Sequence, residues 1–174
     1  MSPTIYGTGI GTIGNPNKLS IQAPLSIRAA IKVGQAEVLG DGNGVWDFVH
    51  IADLSSLYEI ITARAIKNEP LPDGERGIYF SGTGRFAWKE FAQGIADAGF
   101  KLGAFKTSEV KSISLEEAAQ RWSGGATLFV ELGFASNSRT KSDLAKEFGW
   151  RPKKTDEDFK KHFFEDFSII YKAN

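Results

Sequence analysis

Residues 46–57 admit few folds. Trp46, Phe48 and His50 alternate with Asp47, Val49 and Ile51, so a strand over 46–51 puts the first three on one face. Asp53 follows two residues later as the expected N-cap of a helix reaching residue 67, with Leu54, Leu57, Ile61 and Ala65 turned inward. A strand that passes into a helix with almost no loop points to an α/β chain, and short strands alternate with helices along most of the remaining sequence.

Residues 18–33 predict a helix. Ser20 is its expected cap, Pro24 falls in its first turn, Ile21, Leu25, Ala29 and Val33 recur at helical spacing, and Gly34 ends it. A short strand is expected over 36–39, followed by the turn residues Gly40, Asp41, Gly42, Asn43 and Gly44. A loop at 70–74, a strand at 77–81, a helix over 88–98 and a strand at 109–113 come next. Ser114 and Glu117 have capping-box spacing for a helix that the glycines at 124 and 125 interrupt. The segment through Glu131 reads as helical or irregular, 142–148 as a short helix, and 156–171 as a final amphipathic helix. No repeat or linker divides the chain, which is read as one domain over residues 1–174.

Composition removes several classes of function. With 21 basic and 21 acidic side chains among 174 residues, the chain has no net field to hold nucleic acid or an anionic membrane surface. It has no cysteine, so disulfides and thiolate chemistry are excluded. Its two histidines, His50 and His162, are too few for a histidine-rich metal site. No apolar run reaches the roughly 18 residues of a membrane span, and no secretory leader pattern is visible, so the cytoplasm is the expected compartment. Thirteen phenylalanines, four tyrosines and four tryptophans predict an aromatic core, with some rings left to line an apolar pocket.

Gly9, Gly11 and Gly14 match the letters of a dinucleotide fingerprint. Its context is wrong, because only Thr4, Ile5 and Tyr6 precede it as a strand and Asn15, Pro16 and Asn17 follow where a helix should begin. The loop reads as a surface loop or as a flap over a cleft.

Three segments carry a resemblance. Pro3-Thr4-Ile5-Tyr6-Gly7, Val49-His50-Ile51-Ala52-Asp53-Leu54 and Gly149-Trp150-Arg151-Pro152 stand in the order and spacing seen in the second half of extended short-chain dehydrogenase/reductases, the NAD-dependent epimerase/dehydratase family. Gly77-Ile78-Tyr79-Phe80-Ser81-Gly82 and Phe86-Ala87-Trp88-Lys89-Glu90 resemble the intervening pieces. The implied fold is the C-terminal, substrate-binding half of such an enzyme: helices with a few short strands and no Rossmann cofactor domain. The family's phosphate loop and its Tyr-x-x-x-Lys pair lie upstream of what these residues resemble, and no tyrosine here has a lysine four positions on. The resemblance therefore implies that this chain alone binds no cofactor, and that NAD(P) enters only if another chain supplies the missing half. Nucleotide-sugar enzymes of the family carry arginine where Trp46 stands, so an apolar ligand is implied instead. In the family the helix like 53–67 and the strand like 77–81 pack back onto the cofactor half. Those surfaces then need a cover, either a second copy of the chain or a chain supplying the missing half.

The candidate substrate-binding residues are Tyr6, at the family's cleft, Trp46, Trp122, which precedes a glycine pair, and Arg139, whose fork suits an anionic group. Trp88 and Trp150 are expected in the core. Weak catalytic candidates are His50, which titrates near neutrality, and Asp47 and Glu131, which would be shifted acids if buried. No metal ligand set is expected. Three functions fit: the substrate-binding part of an NAD(P)-dependent oxidoreductase, epimerase or dehydratase acting on a small apolar metabolite; a cofactor-free isomerase or cyclase; or a non-catalytic binding module.

Overall fold

The computed structural model describes residues 3–10 and 18–173. The fold is α/β, with seven helices and five short strands among these residues. Strand β1 (Thr4–Tyr6) pairs in parallel with β3 (Val45–His50), and β3 pairs antiparallel with β4 (Gly84–Ala87), so the sheet order is β1-β3-β4. A separate ladder joins β2 (Glu37–Leu39) to β5 (Lys111–Ile113) in parallel. The helices are α1 (Gln22–Val33), α2 (Ile51–Ile66), α3 (Trp88–Lys101), α4 (Leu115–Ser123), α5 (Thr127–Phe134), α6 (Asp143–Glu147) and α7 (Asp156–Lys172).

The pleat of β3 divides the interior. Trp46 and Phe48 face an aromatic core against α1, α3 and α7, where Phe86, Trp88, Phe91, Phe159 and Phe163 are all buried. Phe48 stacks on Phe159 with centroids 4.1 Å apart, and Phe86 stacks on the same ring at 5.3 Å. Val49 faces the other way, into a smaller core with Leu57, Ala145 and Trp150 beneath α2. Trp88 and Trp150 are buried, as the sequence reading has them.

Four sequence expectations need correction, the smallest being Ala65, which is exposed on α2 rather than turned inward. Residues 77–81 form no strand. The antiparallel partner of β3 is 84–87 instead, while Ile78 and Phe80 stay 60% and 38% exposed. A strand exists only where a neighbour completes its hydrogen bonds, and no described strand pairs with 77–81. Asp53 is not the cap of α2. His50 is, with its Nδ1 accepting the Ala52 N–H at 3.0 Å. Asp53 lies buried in the first turn, and its carboxylate accepts the backbone N–H groups of Lys153 and Lys154 at 2.9 and 3.0 Å. Finally, α1 begins at Gln22 with no side-chain cap from Ser20. The expected capping box at Ser114 does form and starts α4, and the structure adds a second one at Thr155, which starts α7. Residues 11–17, which hold most of the glycine fingerprint, lie outside the described residues.

Helix α7 carries two buried titratable groups one turn apart, His162 and Asp166. Burial pushes His162 down to about 4 from 6.5. Burial, helped by the charge of Glu165, pushes Asp166 up to about 6 from 3.8. Between roughly pH 4 and 6 the unfolded chain holds a proton on His162 that the folded chain lacks. Over the same range the folded chain holds a proton on Asp166 that the unfolded chain lacks, so the two slopes of stability against pH have opposite signs and offset. Asp166→Asn is expected to raise stability by about 2–3 kcal/mol at pH 7.5 and to leave a chain that weakens as pH falls from 6.5 toward 4. His162→Gln should show the opposite slope. Urea midpoints at pH 4.5 and 7.5 check both.

Candidate functional site

Two concavities meet at the free edge of β1. This strand pairs with β3 on one side and has no ladder partner among the described residues on the other. Pro3 and Ile5 line both concavities, so the edge forms the ridge between them.

The larger concavity, about 620 Å³, is a groove between α2 and the extended segment after the turn at Gly74–Arg76. Its walls are Leu54, Leu57, Tyr58 and Ile61 from α2 and Ile78, Tyr79 and Phe80 from the segment. Tyr58 is 66% exposed. An apolar groove open to solvent beside an unpaired strand edge is the kind of surface that proteins cover.

The second concavity is a cleft of about 380 Å³ whose walls include the start of α1, Trp46 and one side of α5. Gln22 joins three walls: its Oε1 accepts the Thr4 hydroxyl at 2.7 Å and its Nε2 donates to the Gly133 carbonyl at 2.7 Å. Trp46 is buried, its ring 5.5 Å from that of Trp88, and its Nε1–H has no hydrogen-bond partner. Ser20, Ile21, Phe129 and Phe134 are further described residues of the lining, among which there is no charged side chain.

The other sequence candidates do not converge on this cleft. Tyr6 is 1% exposed, enclosed by the rings of Phe48, His50, Phe159 and His162, and its hydroxyl is buried without a partner. Burial first, then the charges of Asp158, Asp53 and Asp156, hold that hydroxyl well above the ordinary tyrosine value. Trp122 is half-buried and packs its ring 5.5 Å from Phe134. Arg139 is exposed and donates to Asn137 Oδ1 at 3.3 Å.

Among the catalytic candidates, His50 uses its Nδ1 lone pair as the cap of α2, which leaves the ring proton on Nε2 in the neutral form. Burial, then the nearby charge of Lys154, lowers its pKa. Gly7 lies against this ring with φ +90°, and a Cβ there would overlap His50 Nε2, so the close approach requires glycine. Asp47 is buried and fully engaged. It accepts from Arg85 Nε at 2.9 Å, Thr140 N at 2.5 Å and Thr140 Oγ1 at 2.6 Å, tying β3 and β4 to the loop that follows α5. Glu131 is exposed on α5, so the burial that would make it a shifted acid is not met.

Sequence reasoning missed Gln22, Ile5, Phe129 and Gly133. A signal was present in 127–134, where Leu128, Phe129, Val130, Leu132 and Phe134 put more apolar residues on a short helix than one inward face can bury. Among the described residues no cluster of histidine or carboxylate side chains could hold a metal, and no helix is long and apolar enough to cross a membrane.

The architecture is that of the C-terminal part of epimerase/dehydratase-type chains. PbgP3 protein from Burkholderia pseudomallei superposes with a TM-score of 0.60 at 18% identity, over 99% of this chain and 46% of that one. UDP-glucose 4-epimerase from Thermus thermophilus, in complex with NAD, gives 0.55 at 18% identity over 99% and 46%. DesIV, a dTDP-glucose 4,6-dehydratase from Streptomyces venezuelae with NAD and TYD bound, gives 0.54 at 22% identity over 99% and 42%. In sequence, the chain is 30% identical over 101 residues to the oxidase ucsJ of an Acremonium species, a match spanning 53% of this chain and 29% of that protein. No family model matches. The chain thus spans less than half the length of each of these proteins.

Proposed function

We propose that this chain is the substrate-binding part of an NAD(P)-dependent oxidoreductase, epimerase or dehydratase. In this reading the groove along α2 seats a cofactor-binding domain, and the adjoining cleft holds a small, largely apolar metabolite. The observation that carries the reading is the groove itself: an apolar surface of Leu54, Leu57, Tyr58, Ile61, Ile78 and Phe80 beside the unpaired edge of β1, open to solvent. The likeness to solved chains, complete over this chain and partial over theirs, supports the same reading, as does the presence of NAD in two of those structures.

The described lining of these two concavities does not fit the dinucleotide. Neither concavity offers a cation or a glycine-lined helix N-terminus for a pyrophosphate, so the cofactor belongs to the covering domain. This chain's share is binding and orientation. Gln22 fixes the cleft walls, Trp46 and Phe129 supply apolar contact, and domain closure over the β1 edge excludes water from a ligand held between the two bodies.

Tyr58→Asp and Ile78→Asp test the reading. Both side chains are exposed, so urea unfolding of the chain by itself should change by less than about 0.5–1 kcal/mol. Each substitution should abolish association with a cofactor-binding domain, and the chain alone should show no micromolar binding of NAD or NADP by calorimetry. A loss of several kcal/mol in either variant would mean that the groove is sealed within the chain in solution. Tight NAD binding by the chain alone would equally overturn the assignment.

A further inference from the structure

Helix α5 has an apolar side that the fold leaves open. Leu128, Phe129 and Leu132 are 66%, 49% and 46% exposed, and Ile21, across the mouth of the cleft, is 69% exposed. On a helix, residues three and four apart are neighbours, so Leu128 and Leu132 continue the stripe that Phe129 and Gly133 begin inside the cleft. The apolar surface therefore runs from the interior of the cleft out over its rim.

Gly133 marks the passage. A Cβ built there meets nothing within 4 Å, and its φ is not in the left-handed range, so neither packing nor backbone conformation requires glycine. An Ala at this helical position would be favoured by roughly 1 kcal/mol. The open space over Gly133 is the space of the cleft, and a side chain at this position would fill it.

Charge argues in the same direction. The described lining of the cleft contains no lysine or arginine, and its side-chain polar groups are the Ser20 hydroxyl, the buried Trp46 Nε1–H and the Gln22 amide, the last already engaged on both ends. A nucleoside diphosphate is held where cations neutralise its charge, and the described lining supplies none.

Resting on the substrate-binding reading above, we propose that the cleft and the α5 rim form one site for an uncharged, lipophilic compound larger than the cleft. One end of the compound lies over Gly133 between Trp46 and Phe129. The remainder crosses the ridge of Ile21, Leu128 and Leu132. Helix α5 is then the element that selects the ligand by length and polarity.

The test uses Nile red, a neutral lipophilic dye, titrated into the 174-residue chain by fluorescence. The wild-type chain should bind it. Gly133→Leu should weaken binding by about tenfold or more with unchanged circular dichroism, and Leu128→Asp with Leu132→Asp should weaken it by a similar factor. Tyr58→Asp, in the groove beyond β1, should leave the titration unchanged. UDP at millimolar concentration should not displace the dye.

Absence of dye binding, an unchanged titration in Gly133→Leu, or displacement by UDP would overturn the proposal. So would a wild-type dimer that the α5 double variant makes monomeric without altering dye binding, since the ridge would then be a contact between copies. None of these outcomes bears on whether the α2 groove seats a cofactor-binding domain, which the Tyr58 and Ile78 variants test separately.

Discussion

Replacing Trp150 by alanine is expected to lower the stability of the chain by about 3–5 kcal/mol, a large share of what a single domain has. The indole is fully buried among Val49, Leu57 and Ala145 under α2. Its Nε1–H donates to the Asp53 carbonyl at 2.8 Å and lies 3.1 Å from the Ser56 hydroxyl, while the Asp53 carboxylate holds the backbone N–H groups of Lys153 and Lys154. One side chain thus fills the smaller core and fastens the stretch leading into α7. Trp150→Phe keeps most of the volume and loses the N–H donor, so its cost should stay near about 1–3 kcal/mol. Asp53→Ala leaves two backbone donors without their acceptor and should cost about 2 kcal/mol. Because the two residues brace the same segment, the double variant should show a coupling of about 0.5–3 kcal/mol. Urea unfolding followed by far-UV circular dichroism measures all four variants.

Asp47→Ala is the second large effect. A buried carboxylate accepting three charged or polar donors holds β3, β4 and the loop at Thr140 together. Breaking such a pair costs about 3–5 kcal/mol, and here the lower end applies because the Arg85 side chain is 45% exposed and rehydrates when released. Asp47→Asn retains one carbonyl oxygen for Thr140 and should recover about half of the loss. A fall of under about 1 kcal/mol in Asp47→Ala would show that the network contributes little and that the loop is held by its backbone bond from Ser138 to Val45.

Much of the fold was legible because local rules sufficed. The capping box at Ser114, the turn over residues 40–44 and the alternation of β3 are read from neighbours in sequence, and all three recur in the structure. What failed depends on distant partners. The segment over residues 77–81 has the composition of a strand, yet no strand of the described residues pairs with it. Asp53 has the composition of a cap, but residues 153 and 154, a hundred positions away, claim its oxygens. Trp46 could be picked for the cleft because the resemblance drawn from sequence sets it where nucleotide-sugar enzymes of that family carry arginine. Gln22 and Gly133 could not, since a glutamine at a helix start and a glycine near a helix end signal nothing until three elements meet.

We propose that a cofactor-binding domain covers the α2 groove and the segment beside it. Amide hydrogen exchange tests it most directly. In the chain alone, the amides of Ile78 and Phe80 should exchange rapidly, as exposed backbone without ladder bonds does. In a chimera where this chain replaces the matched 46% of the Thermus thermophilus epimerase, the same amides should become protected and the chimera should bind NAD. Slow exchange of these amides in the monomeric chain alone, with no further protection in the chimera, would contradict it.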